Sequence, residues 1–343
     1  MLHLFELSAT LSKFGFCATF IVNLLFINLT ISYTKLITGT YRKMLIIFAS
    51  TCIIFSAIEM IAQPCIHNFN GGLVYFSLND NPKLSQGFLT MSIVVYAACY
   101  VNQLVFIGIQ FVFRFLTLIQ HSLLDSFQGR KQLFWILYFS TLGLTYGSLA
   151  AICLKSDDYS DDYMKQELSR VYGKEIKDTP RLLAVVYDKS GRVRWRVITF
   201  LSGGSAIIGS QYAIITFCTI QMLKSMKTRL GNYSQRNRKL EFQFFKALAV
   251  QITLPTVLIT VPIGLVLLVP ILDLKMSLQT SMIYAFYSLY PPLDSIATMV
   301  IIKEYRTSLR AMIGDATGYL KEKESSSGAG TRTGTAMITM VSH

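Results

Sequence analysis

Long apolar runs separated by short charged segments dominate this chain. A helix needs roughly 20 apolar residues to cross the hydrocarbon core of a bilayer. Seven runs approach or exceed that length with no charge or a single acid: 14–34, 44–62, 88–113, 132–154, 197–223, 247–271 and 277–302. The pattern predicts an all-α membrane protein, a bundle of seven transmembrane helices over residues 14–302. Charged residues make up only 15% of the chain, against about 25% in soluble domains.

The distribution of Lys and Arg predicts the orientation of the bundle. Basic residues collect after the first, third, fifth and seventh runs, and short loops rich in Lys and Arg stay on the cytosolic side. The N-terminus (1–13) is therefore expected outside and the tail (303–343) in the cytosol. The loop 155–196 has ten basic residues but also eight acids. It is expected to be extracellular because long loops translocate with little regard to charge.

The tail contains two segments of different composition. The stretch "KEYRTSLRAMIG" places Tyr305, Leu309 and Met312 or Ile313 on one face at helical spacing. This spacing predicts a short amphipathic helix lying on the membrane, although a simple continuation of the seventh span would also fit. From about residue 325 the chain is rich in Gly, Ser and Thr, which predicts disorder.

Prolines and two polar side chains in the spans are candidates for a conformational switch. Proline weakens a membrane helix, and a buried acid in a span is by default a functional candidate. The residues concerned are Asn23, Pro255, Pro262, Pro291, Pro292 and Asp294. Asn23 is the first candidate for a hydrogen-bond partner of Asp294. The alternative is that the prolines only set static kinks.

Tyrosines and a few amides mark a candidate ligand site in the outer half of the bundle. Tyr96, Tyr100 and Gln103 share one stripe of the third span at i, i+4 and i+7. The other candidates are Glu59, Gln211, Tyr212, Tyr284 and Tyr287. Aromatic walls with few hydrogen-bonding groups suit a small, neutral, volatile molecule. The alternative is that each tyrosine makes helix contacts or belongs to an interfacial belt.

Basic residues at the inner face are candidates for contact with a protein partner. Arg114 ends a long uncharged run and could hold the bundle closed or meet a partner's carbonyl groups. The other candidates are Arg130, Lys131, Arg236, Arg238 and Lys239. They could instead be topological anchors, or lie on a loop that is solvated or attracted to anionic lipid.

Several other functions are disfavoured by the sequence. The spans contain no His, which removes the usual ligands of an intramembrane metal enzyme, and neither a cofactor nor a metal is expected. An odd number of spans without repeats weighs against a transporter. A seven-span ligand-gated channel with its N-terminus inside would oppose the charge distribution. The small residues Ser202 to Ser205 are interpreted as helix-packing positions, and a disulfide between Cys65 and Cys153 is left open.

Five segments carry a resemblance to a known family. They are "GTYRKMLIIFAS", "QPCIH", "FVFRF", "FFKALAVQITLPTVLITVPIGLVLL" and "YPPLDSIATMVIIKEYR". Together they resemble the Str family of nematode seven-transmembrane chemoreceptors, which includes receptors for odorants. The resemblance implies a G-protein-coupled odorant receptor, a heterotrimeric G protein as partner, and a place in the plasma membrane of sensory cilia. Ser295 departs from the proline usual in the family.

Overall fold

A bundle of long helices forms most of the molecule. The computed structural model describes residues 2–34, 37, 39–229 and 235–314. Its helices are α1 (Leu2–Asn28), α2 (Gly39–Ala62), α3 (Gln86–Ile119), α4 (Leu133–Cys153), α5 (Asp158–Tyr172), α6 (Trp195–Arg229), α7 (Gln235–Pro255), α8 (Val261–Ile271), α9 (Ser281–Tyr287), α10 (Tyr290–Ile301) and α11 (Lys303–Gly314). Within these ranges six helical segments are long and apolar enough to cross a membrane, and a bent pair in the last part makes a seventh candidate. The predicted seven-helix membrane bundle is confirmed.

The prediction of an all-α fold overlooks a small β-sheet at one end of the bundle. Its strands are β1 (Pro64–Phe69), β2 (Gly72–Ser77), β3 (Arg181–Val185) and β4 (Ser277–Gln279), in the order β3-β2-β1-β4. Every neighbouring pair is antiparallel. The β1–β2 hairpin turns at Asn70, whose φ of 49° lies in the left-handed region that Asn tolerates. We call this end of the bundle the sheet end, and the opposite end, where α11 lies, the α11 end.

The sheet separates two apolar clusters because side chains alternate between its faces. Ile66, Leu73 and Tyr75 face the helix bundle, whereas Cys65 and Val74 pack with α5 on the other face. Cys153 belongs to the bundle cluster. The two cysteines therefore lie on opposite sides of the sheet and are both free, so the disulfide that the sequence left open does not form here.

A polar cluster joins α5 to two strands on the outer face of the sheet. Ser277 of β4 donates to Oε1 of Glu167 at 2.8 Å, and His67 Nε2 of β1 lies 3.3 Å from the same oxygen. Arg170 pairs with this carboxylate. Burial lowers the pKa of His67 in spite of the neighbouring carboxylate. Burial would raise the pKa of Glu167, but the hydrogen bonds from Ser277 and Arg170 outweigh it and hold that pKa below its usual value.

The sixth span is continuous but changes its winding in the middle. A π-helical turn over Thr256–Thr260 links α7 to α8, directly after Pro255. Pro255 has no N–H to donate, and π turns are common where an α-helix is interrupted. Pro262 is the second residue of α8 and, like Pro255, has no N–H to donate to the preceding turn.

The seventh span is broken directly before its two adjacent prolines. α9 ends at Tyr287 and α10 begins at Tyr290, with Pro291 and Pro292 in the first turn of α10. The first N–H groups of a helix lack intrahelical partners in any case, so these prolines start a helix instead of kinking one. After Ile301 the chain bends by 94° into α11. The Tyr305 hydroxyl lies 2.8 Å from that of Thr30, and this contact holds α11 against the bundle.

Candidate functional site

A cavity of about 320 Å³ lies in the bundle directly beneath the sheet. Its roof is made by Ile66 of β1 together with Leu73 and Tyr75 of β2, and its walls come from the helices α3, α4, α6, α8 and α9 and from the π turn. The lining is mostly apolar and includes the rings of Tyr96 and Tyr284. A cavity of this size and character suits a small organic molecule.

Hydroxyl groups at the π turn supply a polar patch at the wall of this cavity. Thr260 lines the cavity, and its Oγ1 lies 2.6 Å from the Tyr100 hydroxyl of α3. The Tyr212 hydroxyl of α6 lies 3.1 Å from the same atom and 2.7 Å from Oγ1 of Thr256. Three spans, the third, fifth and sixth, therefore meet through hydroxyl groups beside a ligand-sized space.

Thr256 and Thr260 are not among the residues that the sequence predicted for this site. A signal for them exists in "PTVLITVP", where two threonines four residues apart lie between Pro255 and Pro262. Threonine hydroxyls in membrane helices bond to backbone carbonyls near interruptions of the helix. The Thr256 hydroxyl does so by donating to the Ile252 carbonyl at 2.6 Å.

A column of aromatic rings runs from the cavity into the bundle. Tyr96 stacks on Phe55 with 4.9 Å between ring centroids, and Phe55 makes an edge contact with Tyr287 at 5.8 Å. Tyr287 stacks on Tyr290 at 5.3 Å, and Tyr290 is followed within one helical turn by Asp294. The column therefore connects the wall of the cavity with the surroundings of Asp294.

The predicted ligand-site residues divide into two groups. Tyr96, Tyr100 and Tyr284 line the cavity, and Tyr212 and Tyr287 contact Tyr100 or its hydroxyl partner.

The three remaining candidates lie elsewhere. Glu59 borders a separate small space beside Ser12. Gln211 bonds Tyr138 of α4 at 2.8 Å, and the Gln103 oxygen lies 3.5 Å from the Thr51 hydroxyl of α2. Of the predicted stripe on α3, Tyr96 and Tyr100 line the cavity and Gln103 does not. The rotation of α2 and α6, which carry Glu59 and Gln211, could not be determined from spacing.

Asp294 is buried, as the sequence predicted, but Asn23 is not its partner. Gln251 of α7 donates to Asp294 Oδ2 at 3.2 Å. The side-chain oxygen of Asn23 instead accepts from Ser295 at 2.8 Å, and its amide donates to the Thr19 carbonyl. Successive residues of a helix point about 100° apart, which is why Ser295 faces α1 while Asp294 faces α7. The acid thus couples the sixth and seventh spans.

The pair of Asp294 and Gln251 gives a first prediction. Asp294→Ala and Gln251→Leu are each expected to shift basal activity or ligand potency about threefold, because a hydrogen bond within a membrane bundle is typically worth ~0.6 kcal/mol. Asp294→Asn retains hydrogen bonding and should have a smaller effect. Dose–response curves at matched surface expression provide the measurement. If the double variant shows the sum of the two single effects, the two side chains do not act as a pair.

Arg114 is enclosed at the α11 end. Its guanidinium carbon lies 3.4 Å from the ring centroid of Tyr41 of α2 and 3.6 Å from that of Phe244 of α7. Glu241 of α7 pairs with it at 3.7 Å. Arg114 is only 4% exposed, and cation–π contacts of this kind are strongest where water is excluded. In this conformation the residue holds three spans together and is not available to a partner.

The other basic candidates lie at the surface of the same end. Arg130 and Lys131 are exposed on a short 3₁₀ turn before α4. Arg238 and Lys239 are exposed on α7, which begins at Gln235, well before the predicted start of the sixth span. Arg236 lies in the first turn of α7, and its side chain is outside the part of the chain that the structure describes. The cytosolic loop predicted here is therefore in part an extension of a helix.

Comparisons with known proteins agree with this architecture. A model of the serpentine type 7TM GPCR chemoreceptor family Str matches residues 8–310. The chain is 36% identical over 313 residues to the G-protein coupled receptor str-33 of Caenorhabditis elegans, covering 90% of this chain and 91% of the relative.

More distant relatives cover the chain almost as fully. The chain is 26% identical to serpentine receptor class r-10 of Caenorhabditis briggsae and also to that of C. elegans, in each case over 86% of this chain and 87% of the relative. These relatives are all named as receptors. A family match over nearly the whole length, together with the helix bundle, shows that the chain belongs to the Str family of serpentine seven-transmembrane GPCR chemoreceptors.

Proposed function

We propose that this protein is an odorant receptor that binds a small, neutral, mostly apolar molecule in the cavity beneath the sheet. The observation that carries the proposal is the cavity itself, which is about 320 Å³, lined mostly by aromatic and aliphatic side chains, with hydroxyl groups at the π turn. A molecule with one hydrogen-bonding group could bond Thr260 or Tyr100 while its apolar part packs against Tyr96 and Tyr284.

The route from ligand to response follows the sixth span. A ligand that displaces Tyr100 from Thr260 changes the contacts of the π turn, where the Thr260 hydroxyl also donates to the Pro255 carbonyl at 3.3 Å. The turn connects directly to α7, whose other end carries Phe244 and Glu241 around Arg114. A shift in α7 would release Arg114 and open the α11 end. A ligand drives this change only if it binds more tightly to the bundle in which Arg114 is released than to the bundle in which Arg114 is enclosed.

In this proposal the sheet end faces the outside and the α11 end faces the cytosol, in the plasma membrane of sensory cilia. The partner is the α subunit of a heterotrimeric G protein, which would approach the exposed basic residues of α7 and the turn before α4. Anionic lipid of the inner leaflet would lie around the same surface.

The test is a screen of volatile and water-soluble compounds on cells that express this chain, with calcium or cyclic nucleotide as the readout. We expect agonists among small neutral molecules, and we expect GDP-β-S introduced into the cytosol through a patch pipette to abolish their effect. A response that persists with GDP-β-S would contradict G-protein signalling and favour the channel alternative.

The basic surface gives a second prediction. Replacing Arg236, Arg238 and Lys239 together by alanine should weaken coupling about fivefold, since exposed charges at an interface mainly steer association. Ligand binding and surface delivery should not change. The matched control replaces Lys165, Lys177 and Lys189, which are exposed at the sheet end. G-protein activation is measured against receptor concentration, and equal curves for the two triple variants would contradict a docking role.

A further inference from the structure

Among the residues that the structure describes, those that expose the cavity wall most lie on one side of it. All the residues that line it are buried or half-buried apart from Ser205 and Gly209 of α6 and Gly264 of α8. The exposed part of the wall is therefore confined to the line where α6 and α8 face each other. An opening lies between these two helices, which belong to the fifth and sixth spans.

The roof offers no path for a ligand. Ile66, Leu73 and Tyr75 are each at most 7% exposed, and the outer face of the sheet is covered by α5 through Met164 and Leu168. Strand pairing leaves no gap between β1, β2 and β3. A molecule arriving from water at the sheet end would have to separate hydrogen-bonded strands before reaching the cavity.

The opening between α6 and α8 is edged by glycine. A Cβ atom added to Gly209 or to Gly264 would meet no atom of a neighbouring segment within 4 Å, so both positions border open space. By contrast, Gly203 and Gly204, in the stretch predicted to pack helices, do lie against Leu149 and Tyr146 of α4. Gly209 therefore lies on a face of α6 other than the one that packs on α4.

The surface around the opening is one that lipid covers. Val261, Leu265 and Leu268 are large, apolar and at least 47% exposed on α8. Both helices are among the segments long and apolar enough to span a bilayer. A hole bordered by such side chains leads into the hydrocarbon region and not into water.

We propose that ligands reach the cavity sideways from the bilayer, through the gap between α6 and α8 edged by Ser205, Gly209 and Gly264. The ligand class is then narrowed to neutral, lipophilic molecules that partition into the membrane, because a charged molecule cannot follow this path. This inference rests on the proposed function for its ligand, but the path itself can be tested without one.

The test uses a cysteine placed in the cavity as a reporter. Ala97 lines the cavity, and Ala97→Cys is introduced after Cys17 and Cys99 have been changed to alanine. Membranes that contain the full-length protein are treated with N-phenylmaleimide, which is neutral and lipophilic, or with the charged thiosulfonate MTSET. We expect fast labelling by the first reagent and labelling at the background rate by the second.

Two substitutions then test whether a bulky side chain in the gap between α6 and α8 blocks access to the cavity. Gly209→Phe and Gly264→Phe should each slow labelling of Ala97→Cys by N-phenylmaleimide about tenfold, which corresponds to ~1.4 kcal/mol added to the barrier. Gly87→Phe is the matched control, since Gly87 is exposed on α3 and also borders open space. It should leave the rate unchanged.

The outcomes separate the path from the proposed function. Labelling by MTSET, equal rates in all three phenylalanine variants, or a lack of labelling by N-phenylmaleimide would each overturn access from the bilayer. If the blocking variants slow labelling but no compound in the screen elicits a response, the path stands and the receptor proposal fails. If agonists are found and the labelling rate is the same with and without Gly209→Phe or Gly264→Phe, only the proposed path is wrong.

Discussion

Ala97→Trp is expected to abolish the response to every agonist that binds beneath the sheet. Ala97 lines the cavity on α3, between the positions of Tyr96 and Tyr100. An indole ring placed there would occupy much of the roughly 320 Å³ that a ligand needs. We expect agonist potency to fall at least ~100-fold, the equivalent of about 2.7 kcal/mol of binding free energy.

The experiment compares dose–response curves at equal surface expression. Overpacking a core costs about 1–3 kcal/mol, so basal activity is measured as well to show that the bundle remains intact. Ala213→Trp is the matched control, because Ala213 is exposed on α6 and its side chain is not part of the cavity wall. Unchanged potency in Ala97→Trp would place the ligand outside this cavity.

Glu241→Gln is expected to raise signalling in the absence of ligand. The substitution leaves the guanidinium of Arg114 enclosed between Tyr41 and Phe244 without its counter-ion. Removing one member of a buried pair is costly, but Glu241 is partly solvated and the charges are 3.7 Å apart. We therefore expect the substitution to destabilise the conformation in which Arg114 is enclosed by ~1–2 kcal/mol. This corresponds to a shift of roughly 5–30-fold in the equilibrium between that conformation and the one in which Arg114 is released.

A second substitution distinguishes loss of the pair from general damage. Arg114→Met combined with Glu241→Gln removes both charges and keeps an apolar side chain between the rings. Replacement of a buried pair by apolar residues is often neutral, so basal activity should return toward the wild-type value. Asp125→Asn, which neutralises an exposed acid at the same end, should have no effect. Basal activity in Glu241→Gln equal to wild type would show that Arg114 does not hold the bundle closed.

Hydropathy predicted the membrane bundle because burial in lipid imposes long apolar helices with internally satisfied backbones. The stripe of Tyr96 and Tyr100 followed from helical periodicity alone. The partner of Asp294 could not be found from periodicity, because Gln251 is 43 residues away. Only the packing of two helices brings these two residues together. A chain with several buried polar residues offers several pairings, and spacing along the sequence does not choose among them.

The sheet was missed for a different reason. "HNFNGGLVYF" contains an Asn-Gly turn between apolar strands, which is a strong hairpin signal. Its strands are short and apolar, and periodicity cannot separate a short buried strand from the end of a helix. β4 has only three residues and gives no signal of its own, because its strand conformation depends on pairing with β1.

The strands of the sheet also determine when the receptor can finish folding. β1 and β2 are adjacent in the chain, but β4 pairs with β1 across about 210 residues, as in the register of His67 with Gln279. Contacts so distant in sequence form late because loop closure must precede them. During synthesis the hairpin therefore forms first, and β3 pairs with it later. β4 can pair with β1 only after the sixth span has been inserted. Substitutions in β4 should act on the yield of mature receptor, and the sheet above the cavity gains its last strand as one of the last steps of biogenesis.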